Sequence, residues 1–98
     1  TLYDLNKKIR ISDIMKVDKL IKENESWEFY EGLARIAKKE HPETLLYDYF
    51  LGRYFQKMGN PKKAIKAYQS AYSYKEAGGI SKDMLLEEAA RLKDLFGY

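Results

Sequence analysis

The chain has 98 residues, 45% hydrophobic and 34% charged, the balance of one soluble globular domain. Eighteen Lys and Arg against fifteen Asp and Glu leave a net charge of only +3, scattered along the chain, which argues against nucleic acid as a partner. The absence of cysteine excludes disulfides and thiolate metal sites, and no apolar run approaches the about 18 residues that a membrane span needs.

Residues 1–11 show no clear period and read as a linker or frayed start. The opening on Thr1 rather than Met reads as a processed form or an excerpt, and no segment resembles a signal peptide, so the expected setting is soluble, cytoplasmic or periplasmic. Residues 12–98 then read as one helical domain. Ser12-Asp13 is an N-cap with a first-turn acid, and Ile14, Val17, Leu20 and Ile21 recur at helical spacing, predicting a helix over about 13–24. Ser26 is the next expected cap. Trp27, Tyr30, Leu33, Ala34 and Ala37 predict a helix over about 27–40, stopped by His41-Pro42.

Leu46, Tyr47, Phe50, Leu51, Tyr54 and Phe55 mark a third helix over about 43–58. Gly59-Asn60-Pro61 punctuates it: Gly59 as the C′ residue of one helix, Asn60 as N-cap and Pro61 as N1 of the next. The fourth helix runs to about 76 through Ala64, Ile65, Tyr68, Ala71 and Tyr72 and breaks at Gly78-Gly79. Ser81 caps a fifth over about 82–96, with Leu85, Leu86, Ala89, Leu92, Leu95 and Phe96 on its apolar side and Lys82, Glu87, Lys93 and Asp94 outward. No segment alternates with period two, so the expected fold class is all-α, with antiparallel neighbours joined by short turns.

Catalytic chemistry finds little to stand on. His41, the one histidine, ends a helix and reads as a dipole partner or loop residue rather than a base or ligand. Ser12, Ser26 and Ser81 read as caps, and no serine has a sequence-neighbouring histidine to activate it. Gly78-Gly79 lacks the following Lys-Ser/Thr of a phosphate loop, and Glu87-Glu88 reads as a solvated face. We therefore expect no catalysis, metal or cofactor in this chain.

The series Leu51-Gly52, Phe55, Gly59, Ala64, Tyr68 and Ala71 has a packing logic. Gly52 and Ala64 remove side chain where two helices cross, Phe55 and Tyr68 fill the adjoining space, and Ala71 lets the second helix lie against the next unit. Residues 45–78 thereby resemble a tetratricopeptide repeat, a helix-turn-helix unit of 34 residues. Asp48 and Glu76 depart from that pattern, standing at its early Trp and late Pro positions. Shifted back by one repeat, residues 11–44 resemble a degenerate copy, with Val17, Ile21, Ala34, Ala37 and Pro42 in place but Asp18 and Tyr30 at the small positions, so its helices are expected to splay or shift register. Residues 80–96 resemble a terminal capping helix.

The resemblance implies antiparallel helical hairpin repeats, about two plus a cap, and a non-catalytic scaffold or docking role. It further implies a concave face lined by Met15, Lys19 and Lys22 from the first unit and by Tyr49, Arg53, Gln56 and Lys57 from the second. Aromatic and basic groups together suit an extended peptide with acidic groups. Met15 and Tyr49 stand where a chaperone-binding clamp of this family would want Lys and Asn, so that ligand is not expected. Two repeats fall below the three or so that solenoids usually need, so either self-association into a homodimer completes the core or the domain leans on a larger body. Residues 78–97 also resemble the helical C-terminal extension of some bacterial α/β-hydrolase-type esterases, which makes an accessory or dimerisation domain of a hydrolase the alternative. The nucleophile elbow Gly-x-Ser-x-Gly is absent from this sequence.

Overall fold

The computed structural model describes residues 9–98. Among these residues five α-helices follow in order: α1 (Ile11–Asn24), α2 (Phe29–Glu40), α3 (Leu46–Lys57), α4 (Pro61–Ser70) and α5 (Lys82–Phe96), with a 3₁₀ turn at Ala71–Ser73. Among the described residues the extended pairings are two isolated bridges, Thr44 with Lys75 and Ala77 with Ile80. The fold class is all-α, as the helical spacing predicts. Among the described residues no helix is long and apolar enough to cross a membrane.

Most of the predicted 1–11 linker lies outside the described residues, but Ile11 already belongs to α1. The caps differ in detail. Arg10, extended at φ −79° and ψ 152°, precedes α1, so Ser12 sits inside the first turn. Ser26 likewise lies before a turn, and α2 starts only after Glu28. The predicted Asn60 and Ser81 caps stand: Asn60 Oδ1 accepts from the Lys63 N–H and Ser81 Oγ from the Met84 N–H. Gly59 takes φ +79°, the left-handed conformation that ends α3.

Helix α4 stops at Ser70, short of the predicted 76. Beyond the 3₁₀ turn, Tyr74 is extended and Lys75 exchanges backbone hydrogen bonds with the loop before α3, its N–H donating to Glu43 O and its carbonyl accepting from Leu45 N–H. Those bonds are unavailable to a helix, so the backbone leaves α4 to make them.

Successive helices pack on one another, α2 with α3, α3 with α4 and α4 with α5, while α1 packs more lightly on α2. The contacts fix the directions. Lys38 Nζ lies 4.6 Å from the Tyr47 ring centre and Lys57 Nζ 4.5 Å from that of Trp27, with Tyr30 stacked on Phe50 between them, so α2 and α3 are antiparallel. Gly52 against Tyr68 and Phe55 beside Lys63 make the same reversal for α3 and α4. Tyr30, Leu45, Leu46, Phe50, Tyr68 and Leu92 are fully buried and mark the core.

At Gly52 the partner across the crossing is the ring of Tyr68, not Ala64. A Cβ added there would overlap that ring, which is buried and cannot swing away. In the first hairpin the same register holds Asp18 and Tyr30. Here the helices meet through a hydrogen bond, Tyr30 Oη donating to Asp18 Oδ1 at 2.7 Å, which spaces them with side chains instead of bringing backbones together. The lighter contact of α1 follows.

Gly52→Ala should therefore destabilise the fold by about 1–3 kcal/mol through overpacking, although alanine is the better helix former by about 1 kcal/mol. Urea denaturation checks this; a variant more stable than the parent would mean that the helices do not cross at Gly52.

Candidate functional site

Helices α1, α3 and α5 approach one another through long polar side chains. Lys22 Nζ of α1 donates to the Tyr49 hydroxyl of α3 at 3.2 Å, and Gln56 Nε2 of α3 donates to Glu88 Oε2 of α5 at 2.8 Å. Between them lies a pocket of about 260 Å³ lined by Lys22, Tyr49, Arg53, Tyr68, Leu85 and Glu88, with Met84 at its rim.

Lys22 is tied twice, to Tyr49 and to the buried carboxylate of Asp18, 3.2 Å away. Partial burial opposes its charge, but the Tyr49 hydroxyl and Asp18 outweigh that and hold Lys22 above the ordinary lysine value. Asp18 in turn accepts from Tyr30, whose own ionisation is pushed up by burial and by that carboxylate. Removing one partner of such a buried set leaves the rest unsatisfied.

Arg53 is different. Its guanidinium lies 6.0 Å from the Tyr30 ring centre, its Nε is buried without a hydrogen-bond partner, and among the described residues no carboxylate pairs with it. Arginine cannot shed its proton at any relevant pH, so the pocket holds a cation that makes no direct ion pair among the described residues, although the Glu88 carboxylate, held by Arg91, lines the same pocket.

On the far wall Tyr68 Oη donates to Gln56 Oε1 at 2.7 Å, Gln56 donates to Glu88, and Arg91 grips both oxygens of Glu88, at 2.8 and 2.6 Å. The Arg91 hydrogen bonds, helped by Gln56, outweigh partial burial and hold the Glu88 carboxyl down at about 2. Gln56 thus ties α3, α4 and α5 together and has both ends of its amide engaged.

Of the seven residues expected on this face, Lys22, Tyr49 and Arg53 come together in the pocket, with Gln56 behind its wall. Lys57 sits over the Trp27 ring toward the other end of α3. Lys19 is exposed. Met15 packs beneath the Gly78-Gly79 turn, its Sδ 2.7 Å from where a Gly78 Cβ would stand, two turns of α1 from Lys22. Sequence reasoning missed Tyr68, Met84, Leu85 and Glu88. The i,i+3 spacing of Glu88 and Arg91 was a readable signal; that α5 turns this face toward α3 was not. His41, read as a helix-end residue, is the C-cap of α2, and its Nε2 lies 2.6 Å from the Ile9 carbonyl, closing the open end of the first hairpin.

No family model and no curated protein matches this chain. It is similar to the crystal structure of an uncharacterised protein from Capnocytophaga ochracea DSM 7271, at 29% identity and a TM-score of 0.86, over 90% of this chain and 25% of that one. The chain thus spans about a quarter of the length of the solved protein it matches.

Two outcomes test the polar network. Tyr30→Phe leaves Asp18 short of a donor in a buried place and should cost about 1–3 kcal/mol in chemical denaturation. The Glu88 carboxyl should titrate by NMR near pH 2 rather than near the ordinary 4.5. Because its folded value is depressed, the stability it contributes is complete above about pH 4.5 and fades as pH falls toward 2; Glu88→Gln should flatten that part of the stability profile.

Proposed function

We propose that this chain is a non-catalytic protein–protein interaction or scaffolding module of tetratricopeptide type, and that it binds an acidic segment of a peptide or protein partner on the face shared by α1, α3 and α5. The observation that carries this reading is Arg53: a partly buried guanidinium, framed by tyrosines, open to a pocket and lacking a carboxylate partner. A side-chain or terminal carboxylate supplies the missing charge and accepts in the bidentate geometry that arginine favours. Tyr49 and the apolar edge of Met84 and Leu85 offer contact area beside it. The antiparallel hairpins, the Gly59-Asn60-Pro61 turn and the Gly52 crossing support the family resemblance on which the groove assignment rests.

The second reading, an accessory or dimerisation domain of a larger hydrolase, is favoured by one observation: the similar solved protein is about four times as long as the matched region. The sequence flanking this domain in its parent gene decides it. A Gly-x-Ser-x-Gly segment followed by a histidine would support the hydrolase, and flanks without them would reject it.

The test of the groove is binding of a Glu-rich peptide set by fluorescence anisotropy. Arg53→Met keeps the aliphatic stem, and Tyr49→Ala removes the neighbouring ring. A lost charged hydrogen bond of about 1.5–3 kcal/mol weakens binding about tenfold to a hundredfold, so each variant should raise Kd in that range while remaining folded. Unchanged affinity in both would remove the groove assignment.

A further inference from the structure

A carboxylate and a buried cation line one pocket without meeting. Glu88 of α5 and Arg53 of α3 both face the cavity of about 260 Å³. Opposite charges attract most strongly where water is partly excluded. Yet the Arg53 Nε is buried and has no hydrogen-bond partner, and no ion pair joins the two residues.

The donors on Glu88 show what turns it away. Arg91 takes both oxygens, Nε at 2.8 Å and Nη2 at 2.6 Å, and Gln56 Nε2 adds a third hydrogen bond at 2.8 Å. Arg91 stands one turn further along α5 and lines a separate groove, not this pocket. Gln56 is itself fixed: its Oε1 accepts from the Tyr68 hydroxyl, so its Nε2 is the end that faces Glu88. Glu88 lies in the field of two guanidiniums. The Arg91 hydrogen bonds do most to hold its carboxyl down, and the Arg53 charge adds to them.

We infer that Glu88 is a built-in competitor for Arg53, and that Arg91 is a positioning residue that holds it away and keeps the cation open to an acidic ligand. The inference rests on the reading of this pocket as an acid-binding site. With Glu88 on Arg91 the pocket is open; with Glu88 on Arg53 the chain's own carboxylate fills it. An ion pair three residues apart on an exposed helix face ordinarily contributes little. Here it decides which way a pocket carboxylate points.

Two readouts test this on the parent chain, Arg91→Met, Glu88→Gln and the double variant: anisotropy with a Glu-rich peptide, and the Arg53 Nε–H NMR signal of the ligand-free protein. Arg91→Met releases Glu88; if it then occupies Arg53 about nine-tenths of the time, the apparent Kd rises about tenfold. Glu88→Gln removes the competitor and its repulsion, and should lower Kd about threefold or more. In the Glu88→Gln background, Arg91→Met should change Kd by less than about twofold, because Arg91 acts through Glu88. An Arg91 that attracts the peptide directly would lose affinity equally in both backgrounds. In the free protein, Arg91→Met should move the Arg53 Nε–H downfield as it gains a charged acceptor, and the double variant should move it far less.

A parent chain that binds no acidic peptide would remove the acid-binding reading, and the Arg53 signal of the free variants would still decide the inference. An Arg53 Nε–H unmoved by Arg91→Met, equal Arg91→Met losses in both backgrounds, or weaker binding by Glu88→Gln would overturn it.

Discussion

The ring of Tyr68 packed against Gly52 is the contact on which the rest depends. It fixes how closely α3 and α4 cross, and it can form only because position 52 has no side chain. From that ring the hydroxyl reaches Gln56, and Gln56 reaches Glu88, which Arg91 holds from the next turn of α5. One close crossing therefore sets the depth of the second hairpin, the seat of the terminal helix and one wall of the pocket. Dispersion and burial supply the attraction, and the polar chain supplies the register.

The first hairpin solves the same geometric problem with different chemistry. Where the second hairpin uses absence of a side chain, the first uses Asp18 and Tyr30, a buried acceptor and donor. A hydrogen-bonded pair holds two helices at a side chain's distance and leaves α1 with less apolar contact to α2. That looser packing leaves an apolar groove of Leu20, Phe29 and Ile36 open on the outer face. It also places Lys22 beside Asp18 in an ion pair, whereas Arg53 of α3 makes no direct ion pair among the described residues.

Much of this was legible in the residues. Helix number, the Gly59-Asn60-Pro61 turn and the Gly52 crossing follow from local rules of capping, fixed φ and small-residue approach, which need no knowledge of distant neighbours. The helix starts at Ser12 and Ser26 misled, because a serine near a helix start competes with whatever tertiary contacts set the boundary, here those closing the ends of the first hairpin. The end of α4 was misplaced for a similar reason: Lys75 pairs with residues 43 and 45, about thirty positions away, and no local pattern announces that. At the candidate site, register placed Lys22, Tyr49 and Arg53 together. Glu88 escaped because its partner Gln56 lies on another helix, and Met15 was misassigned because the Gly78-Gly79 turn folds over it.

The functional reading rests on one cation without a direct ion pair in a tyrosine-lined pocket, and NMR observes that cation directly. The Arg53 Nε–H, buried and without a hydrogen-bond acceptor in the free protein, gives an isolated signal that can be followed as a Glu-rich peptide is added. The account predicts saturable shifts of that signal together with Lys22, Tyr49 and Leu85, and a quiet surface around Leu20 and Phe29. Shifts confined to Leu20 and Phe29, or none at any peptide concentration, would contradict it.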